Sequence, residues 1–171
     1  NGYGAEVEIR KKLDFIIPAF TPITFVANGS YIYNKVNFSI TDLNGKEVKA
    51  DRPMQGQSPY VINTGLQYDG DKTGTSVTAL FNMIGRRIFV VGNNQNPNIW
   101  EAPRPTLDLQ IAQKLFNNKA DIKLNVSNIL NQKANFYQDK NDNGRYDVTT
   151  DYLRISKLSG IGMSLSFAYS L

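Results

Sequence analysis

The chain of 171 residues contains no cysteine and no histidine. Without thiols it can form no disulfide, no thiolate nucleophile and no cysteine-ligated zinc site. Without imidazole it can build neither a Ser-His-Asp nor a Cys-His triad, nor an HExxH zinc site. No acidic pair is accompanied by a cofactor motif, so we expect no enzyme and no catalytic residue.

The chain also has no strong excess of positive or negative charge and no long apolar run. The 19 Lys and Arg residues and the 15 Asp and Glu residues are interspersed, and the net charge is +4. No basic run is interleaved with aromatic residues, so nucleic acid is not an expected partner. The apolar stretch LDFIIPAF at 13–20 is too short and too broken for a transmembrane helix. These scarcities argue against a helical membrane protein and a nucleic-acid-binding module.

What the chain does have is alternation of apolar and polar residues with a period of two, which indicates β-strands. We predict seven strands, at about 2–13, 23–35, 59–69, 74–90, 104–117, 119–135 and 156–171. Most are longer than the typical soluble strand of about 5–6 residues. They match the tilted strands of about 9–11 residues that cross a bilayer.

Each predicted strand has one apolar and one polar face. In the last strand, every second residue from Ile161 to Tyr169 is apolar, whereas the residues between them are small or polar. This pattern suits a barrel with lipid outside and water in the lumen. A soluble sandwich with its apolar faces turned inward has the same alternation. Strand length and terminal tyrosines such as Tyr60 and Tyr68 favour the membrane.

Charged residues on the polar faces are expected to pair across neighbouring strands. They are Glu6, Glu8, Arg10, Lys12, Asp108, Lys114, Asp121 and Lys123. Arg86 and Arg87, near the end of the fourth predicted strand, are expected to form a solvated strand end, and binding of an anionic lipid headgroup is the alternative.

The connections alternate in length. Residues 14–22, 70–73 and 118 are short or moderate, whereas residues 36–58, 91–103 and 136–155 are long and polar. Outer-membrane barrels have short periplasmic turns and long external loops. The odd strand count predicts that further barrel strands precede this segment, because single-chain bacterial barrels have an even number.

Four stretches resemble the C-terminal β-barrel portion of TonB-dependent outer-membrane receptors. They are NGYGAEVEIRKKLD (1–14), RPMQGQSPYVINTGLQYD (52–69), LNVSNILNQKANFYQDKNDNGRYD (124–147) and the terminal GIGMSLSFAYSL. The resemblance implies an all-β, antiparallel transmembrane β-barrel segment, about seven long strands of a roughly 22-stranded barrel. Residues 1–171 would form the C-terminal part of that barrel, and the plug domain and TonB box are absent from this chain.

The same resemblance implies a location in the bacterial outer membrane and import of a nutrient, such as a ferric siderophore, a cobalamin-like cofactor or an oligosaccharide. Implied partners are outer-membrane lipid, the TonB complex through the missing N-terminal region, a small-molecule or glycan substrate, and a surface lipoprotein. It also implies that Phe167, Tyr169 and Leu171 form a closing-strand assembly signal. The family's last residue is usually aromatic, and here it is Leu171.

The predicted external loops contain amide, aromatic and basic residues that can bind a polar ligand by hydrogen bonding and stacking. The ligand-binding candidates are Arg52, Gln55, Gln57, Asn94, Trp100 and Arg104. The alternative is a solvated loop in which Trp100, the only tryptophan, packs at the membrane interface.

The stretch DKNDNGRYD at 139–147 has the oxygen spacing of a calcium loop. The candidate ligands are Asp139, Asn141, Asn143, the carbonyl of Arg145, Asp147 and Asp151, around Gly144. Thr150 stands where an EF-hand loop has its bidentate glutamate, and only two or three carboxylates are available, so affinity should be weak. Asp, Asn and Gly also favour turns without any metal, and calcium is the one cofactor that the sequence suggests.

Two other classes of protein stay open. One is a soluble β-sandwich binding module with a calcium loop. The other is a non-transport barrel that acts as a structural or docking part of an outer-membrane assembly.

Overall fold

A computed structural model describes residues 1–41, 45, 47–93, 96–141 and 143–170. These residues form thirteen strands and one short 3-10 turn, Pro18–Phe20. The strands are β1 Gly2–Lys12, β2 Ile23–Asn34, β3 Val36–Thr41, β4 Glu47–Arg52, β5 Tyr60–Gly70, β6 Thr75–Ile84, β7 Arg87–Val90, β8 Ile99–Glu101, β9 Arg104–Leu115, β10 Ala120–Ser127, β11 Ala134–Gln138, β12 Tyr152–Lys157 and β13 Gly162–Tyr169. No helix in the described part of the chain is long and apolar enough to span a membrane.

Seven strands form one antiparallel sheet in the order β1-β2-β5-β6-β9-β10-β13. Each corresponds to one of the seven strands predicted from the alternation. The prediction of an all-β, antiparallel architecture is therefore confirmed. The sheet is open, with β1 and β13 at its two edges, so the structure does not form the complete barrel of about 22 strands.

Three predicted strand boundaries are wrong: the chain leaves the large sheet earlier than the alternation suggests in two segments and enters it later in the third. The segment 74–90 divides at Gly85, whose Cβ, if present, would lie 2.7 Å from a ring carbon of Tyr60. The segment 119–135 ends at Ser127, because Asn128 and Asn131 have positive φ angles of 55° and 48°. The last strand begins at Gly162, not at residue 156.

The long connections, which we expected to be loops, contain strands of their own. β7, β8, β11 and β12 form a second antiparallel sheet in the order β12-β11-β8-β7, which we call the loop sheet. β3 and β4 form a separate hairpin. All six lie within or beside the connections that the sequence marked as long and polar, so these connections fold into ordered structure at one end of the large sheet.

The two faces of the large sheet differ as the alternation predicts. Register places Phe25, Leu66, Ala79 and Leu109 in one cross-strand row, and the neighbouring rows on that face are also mainly apolar. This apolar face is not covered: Leu66 is 50% exposed and Leu165 is 73% exposed. Only five apolar residues of the described chain are fully buried, and three of them, Ile88, Trp100 and Phe136, belong to the loop sheet.

Side chains on the opposite, polar face are joined in two hydrogen-bonded rows across the strands. One row crosses four strands through Glu6, Asn28, Asn63 and Asn82. The other crosses three strands through Gln110, Asn125 and Ser164. Among the described residues, amide rows satisfy much of this face and no ion pair crosses its strands. The ammonium of Lys123 pairs with Asp121 of its own strand at 2.9 Å.

Candidate functional site

The loop sheet is built around Trp100 in the middle of the three-residue strand β8. Trp100 lies opposite Ile88 of β7 and Tyr137 of β11, so these three side chains share one face of the sheet. The tryptophan is only 3% exposed, and its indole Nε1–H has no hydrogen-bond partner in the described structure. A buried donor without a partner is uncommon, because it costs about 1–3 kcal/mol.

The opposite face of β8 carries an ion pair that the sequence reasoning missed. Nε of Arg87 donates to Oε2 of Glu101 at 2.7 Å, and Glu101 is 5% exposed. Arg87 stands at the start of β7 with its side chain 36% exposed, so this strand end is partly solvated, but its guanidinium is also paired, which the sequence did not predict. The two residues are directly paired across β7 and β8, but a three-residue strand carries too little alternation to reveal that register.

A cleft of about 200 Å³ lies where three of the long connections meet. Its walls include Phe38, Asp51 and Arg52 from the β3–β4 hairpin, Ile88 and Trp100 from the loop sheet, and Gly144 from the last connection. The guanidinium of Arg52 lies 5.5 Å from the Phe38 ring centroid. The cleft thus combines aromatic surface and a cation, which together suit a polar ligand with apolar parts.

The predicted ligand-binding residues do not all meet in this cleft. Arg52 and Trp100 line it. The side-chain amides of Gln55 and Gln57 instead donate to the backbone carbonyls of Phe89 and Ser58, at 2.8 and 3.3 Å, so they hold the chain in place.

Of the remaining two candidates, Arg104 is not among the residues that line the cleft. Arg104 starts β9 in the large sheet, and its Nε is buried without a partner in the described structure. Asn94 lies outside the described residues. Ligand binding by this group of residues stays a prediction.

The Asp139 loop is organised by its own carboxylates. Asp139 is 1% exposed, and its two oxygens accept from the backbone N–H groups of Asn141, Asn143 and Gly144 at 3.2, 3.3 and 2.8 Å. Asp151 closes the loop by accepting from the N–H groups of Lys140 and Asp147 at 3.3 and 2.9 Å.

Two groups near the middle of this loop have shifted pKa values. Hydrogen bonds from the side chain and backbone of Thr149 lower the pKa of Asp147. Burial, followed by the nearby Tyr137, raises the pKa of Tyr146, whose ring meets that of Tyr137 edge-on at 5.6 Å. Both shifts follow from the packing of the loop on itself and on β11.

The structure explains the loop by turn chemistry without requiring a metal. In the part of the chain that the structure describes, no three acidic side chains come close enough together to hold an ion. Of the six predicted ligands, Asp139 and Asp151 use their carboxylates on backbone N–H groups, and Asn143 accepts from the N–H of Arg145 at 2.8 Å. Calcium binding by Asn141, Asp147 and the others stays a prediction.

Two members of the predicted closing-strand signal lie on the exposed apolar face. Phe167 and Tyr169 of β13 are opposite Ile122 and Ala120 of β10. Leu171 lies outside the described residues. The role of the three in assembly stays a prediction.

Comparison with protein families supplies the context for this geometry. Residues 3–167 match the family model described as the outer membrane protein beta-barrel family. The chain belongs to this family. No curated protein and no solved structure matches the chain.

Membership of the outer membrane protein beta-barrel family indicates which environment each face of the large sheet contacts. The protein is located in the bacterial outer membrane. The exposed apolar face is the lipid-facing surface of a barrel wall, and the polar face with its amide rows is turned to the lumen. The soluble β-sandwich is therefore wrong, since a sandwich buries the face that is exposed here.

The same membership orients the molecule. In outer-membrane barrels the short turns face the periplasm and the long connections face outward. The loop sheet, the cleft and the Asp139 loop then lie on the external side, and the turns at 13–22, 71–74 and 116–119 lie on the periplasmic side.

Proposed function

We propose that the chain is the C-terminal barrel segment of a TonB-dependent outer-membrane receptor that imports a nutrient. The observation that carries the proposal is the external cleft around Trp100, where three long connections meet above a barrel wall with a polar inner face. A purely structural barrel does not need an ordered loop sheet with an unpartnered buried donor. The proposal names ferric siderophores, cobalamin-like cofactors and oligosaccharides as substrate classes.

The proposed place within a larger barrel is supported by the two open edges. Seven strands that alternate in direction leave β1 and β13 parallel to each other. Antiparallel closure therefore needs an odd number of further strands between them. A barrel of about 22 strands would supply about 15, which is odd.

The proposed partners follow from this assignment. The lipid-facing surface contacts outer-membrane lipid, and the TonB complex acts through a region that is not part of this chain. A surface lipoprotein would meet the external loops. The rows of amides on the lumen face offer hydrogen bonds to a polar solute and carry no dense charge of one sign.

Energised uptake tests the proposal. In cells that lack the gene and are complemented with the full-length protein, we expect growth on a ferric siderophore, cobalamin or an oligosaccharide to depend on the protein. Uptake should stop when the proton-motive force is collapsed. Uptake of none of these classes, or uptake that survives the collapse, contradicts energised import and favours the non-transport docking barrel.

The cleft itself is tested by a pair of substitutions. Arg52→Gln changes a cleft wall, whereas Arg86→Gln changes an exposed arginine that is not among the cleft walls. We expect Arg52→Gln to raise the substrate concentration that gives half-maximal uptake, and Arg86→Gln to leave that concentration unchanged. Equal behaviour of both variants would move the binding site away from this cleft.

A further inference from the structure

The periplasmic turn between β1 and β2 exposes three consecutive large apolar residues. Phe15, Ile16 and Ile17 are 65%, 55% and 45% exposed. The turn at 71–74 is polar, with Asp71, Lys72 and Thr73, and the turn at 116–119 exposes a single large apolar residue, Phe116, beside Asn117, Asn118 and Lys119. Water alone gives no reason for a turn to present three such side chains.

The turn is ordered by its own hydrogen bonds. The N–H of Ile16 donates to the carbonyl of Leu13 at 3.1 Å, and the N–H of Phe20 donates to that of Ile17 at 3.0 Å. The hydroxyl of Thr21 donates to the carbonyl of Pro18 at 2.6 Å. The apolar side chains are therefore held outward by a defined backbone.

The position of Lys11 shows that the turn between β1 and β2 adjoins the lipid-facing side of the large sheet. In register, Lys11 lies opposite Phe25 and in the same row as Leu66, so it belongs to the lipid-facing surface. Its Nζ lies 5.6 Å from the centroid of the Phe15 ring. The Phe15 side chain therefore continues the lipid-facing surface beyond the end of β1.

We propose that Phe15, Ile16 and Ile17, together with Lys11, form an anchor that inserts into the inner leaflet of the outer membrane. Aromatic and aliphatic groups enter the boundary between headgroups and acyl chains. The ammonium of Lys11 reaches the phosphate level from a stem that lies on apolar surface. The partner is a phospholipid surface, and the inference rests on the barrel family and not on the transport proposal.

Depth-dependent quenching tests the anchor in the full-length protein, reconstituted into vesicles of phosphatidylethanolamine and phosphatidylglycerol. This chain has no cysteine, so Phe15→Cys, Ile17→Cys and, as a control in a polar turn, Asp71→Cys each add one labelling site. Each site carries an environment-sensitive fluorophore. We expect nitroxide placed near the lipid headgroups to quench the labels at 15 and 17 several-fold more than the label at 71, with aqueous iodide showing the reverse order.

Two results would overturn the anchor. Iodide quenching at 15 and 17 equal to that at 71 places the turn in water. Protection from both nitroxide and iodide places it against protein. The Ile17→Cys variant keeps the test decisive if the Phe15→Cys variant fails to fold.

The contribution of Lys11 is tested with vesicles of the same lipids without phosphatidylglycerol. We expect Lys11→Gln to reduce the nitroxide quenching at position 17 in the anionic vesicles and to have less effect in the neutral ones. An equal effect in both kinds of vesicle would remove the preference of Lys11 for anionic headgroups from the proposal, because phosphatidylethanolamine also carries a phosphate.

Discussion

At the scale of single residues, Glu101 decides the geometry of the external sheet. Its carboxylate is almost fully buried, and Arg87 is its partner at 2.7 Å. Burying a carboxylate is unfavourable unless it is paired and hydrogen-bonded. The pair therefore fixes the register of β7 on β8, and with it the position of Trp100 on the other face.

Arg87→Met leaves the Glu101 carboxylate buried without its cation. We expect the loop sheet to lose about 1–3 kcal/mol of local stability, because a buried charged acceptor without its donor is costly. Hydrogen exchange of the amides of β7 and β8 measures the loss. Arg86→Met is the matched control, since Arg86 is exposed, and equal exchange in the two variants would contradict the role of the pair.

Asp147 gives the loop a dependence on pH. Hydrogen bonds from the side chain of Thr149, and secondarily from its backbone, lower the pKa of Asp147, so the folded loop favours the carboxylate. This contribution is fully present above the ordinary aspartate pKa and is lost as the pH falls through the lowered value. We expect Thr149→Val to raise the pKa of Asp147 more than Thr150→Val does, as followed by NMR titration of the carboxyl group. An equal effect of the two substitutions would contradict the assignment.

Calcium binding is also a residue-scale prediction. The sequence predicts weak affinity, about 10⁻⁴–10⁻³ M, because the bidentate position of an EF-hand loop is filled by Thr150. Calorimetry on the full-length protein should give heat that is lost in an Asp139→Ala, Asp147→Ala variant. Absence of heat in both proteins would leave the loop as a turn closed by its own carboxylates.

At the scale of elements, alternation located the strands of the large sheet but not those of the loop sheet. A strand such as β5, with eleven residues, repeats its pattern several times. β8 has three residues and β7 has four, too few for a period of two to stand out. Their order depends on contacts between distant segments, such as Phe136 opposite Glu101, which local pattern does not contain.

The candidate site shows the same limit at particular residues. Arg52 and Trp100 were expected near a ligand because of their chemistry, and both line the cleft. Gln55 has equally suitable chemistry, but its amide donates to the carbonyl of Phe89. Residue type suggests what a side chain can bind. The fold determines whether that side chain is already hydrogen-bonded to the protein's own backbone.

The turn at 54–57 attaches the chain to the free edge of β7. The N–H of Gly56 donates to the carbonyl of Ile88 at 2.9 Å, and Gly56 has a φ angle of 77°. Alanine in this left-handed conformation costs roughly 1–2 kcal/mol.

Gly56→Ala should therefore speed hydrogen exchange at residue 56 by about 5–30-fold. Gly29→Ala is the control, because a Cβ there meets nothing within 4 Å and its φ is ordinary. An unchanged rate at residue 56 would show that the attachment does not depend on this turn.

At the scale of the whole molecule, the large sheet turns one face toward lipid and the other toward water. Few apolar residues of the described chain are buried, and the large apolar side chains on one face of the sheet are exposed. Such a chain has little core of its own, so its stability depends on the bilayer. The amide rows on the lumen face satisfy polar groups that would otherwise lack partners.

Cysteine scanning of β5 in the full-length protein, in native outer membranes, tests this central claim most directly. The scan compares Asn63→Cys and Gln67→Cys on the lumen face with Ile62→Cys and Leu66→Cys on the lipid face. We expect a water-soluble maleimide to label positions 63 and 67, and lipid-borne nitroxide to reach positions 62 and 66. Labelling of 62 and 66 from water, with 63 and 67 shielded, would contradict this orientation of the sheet.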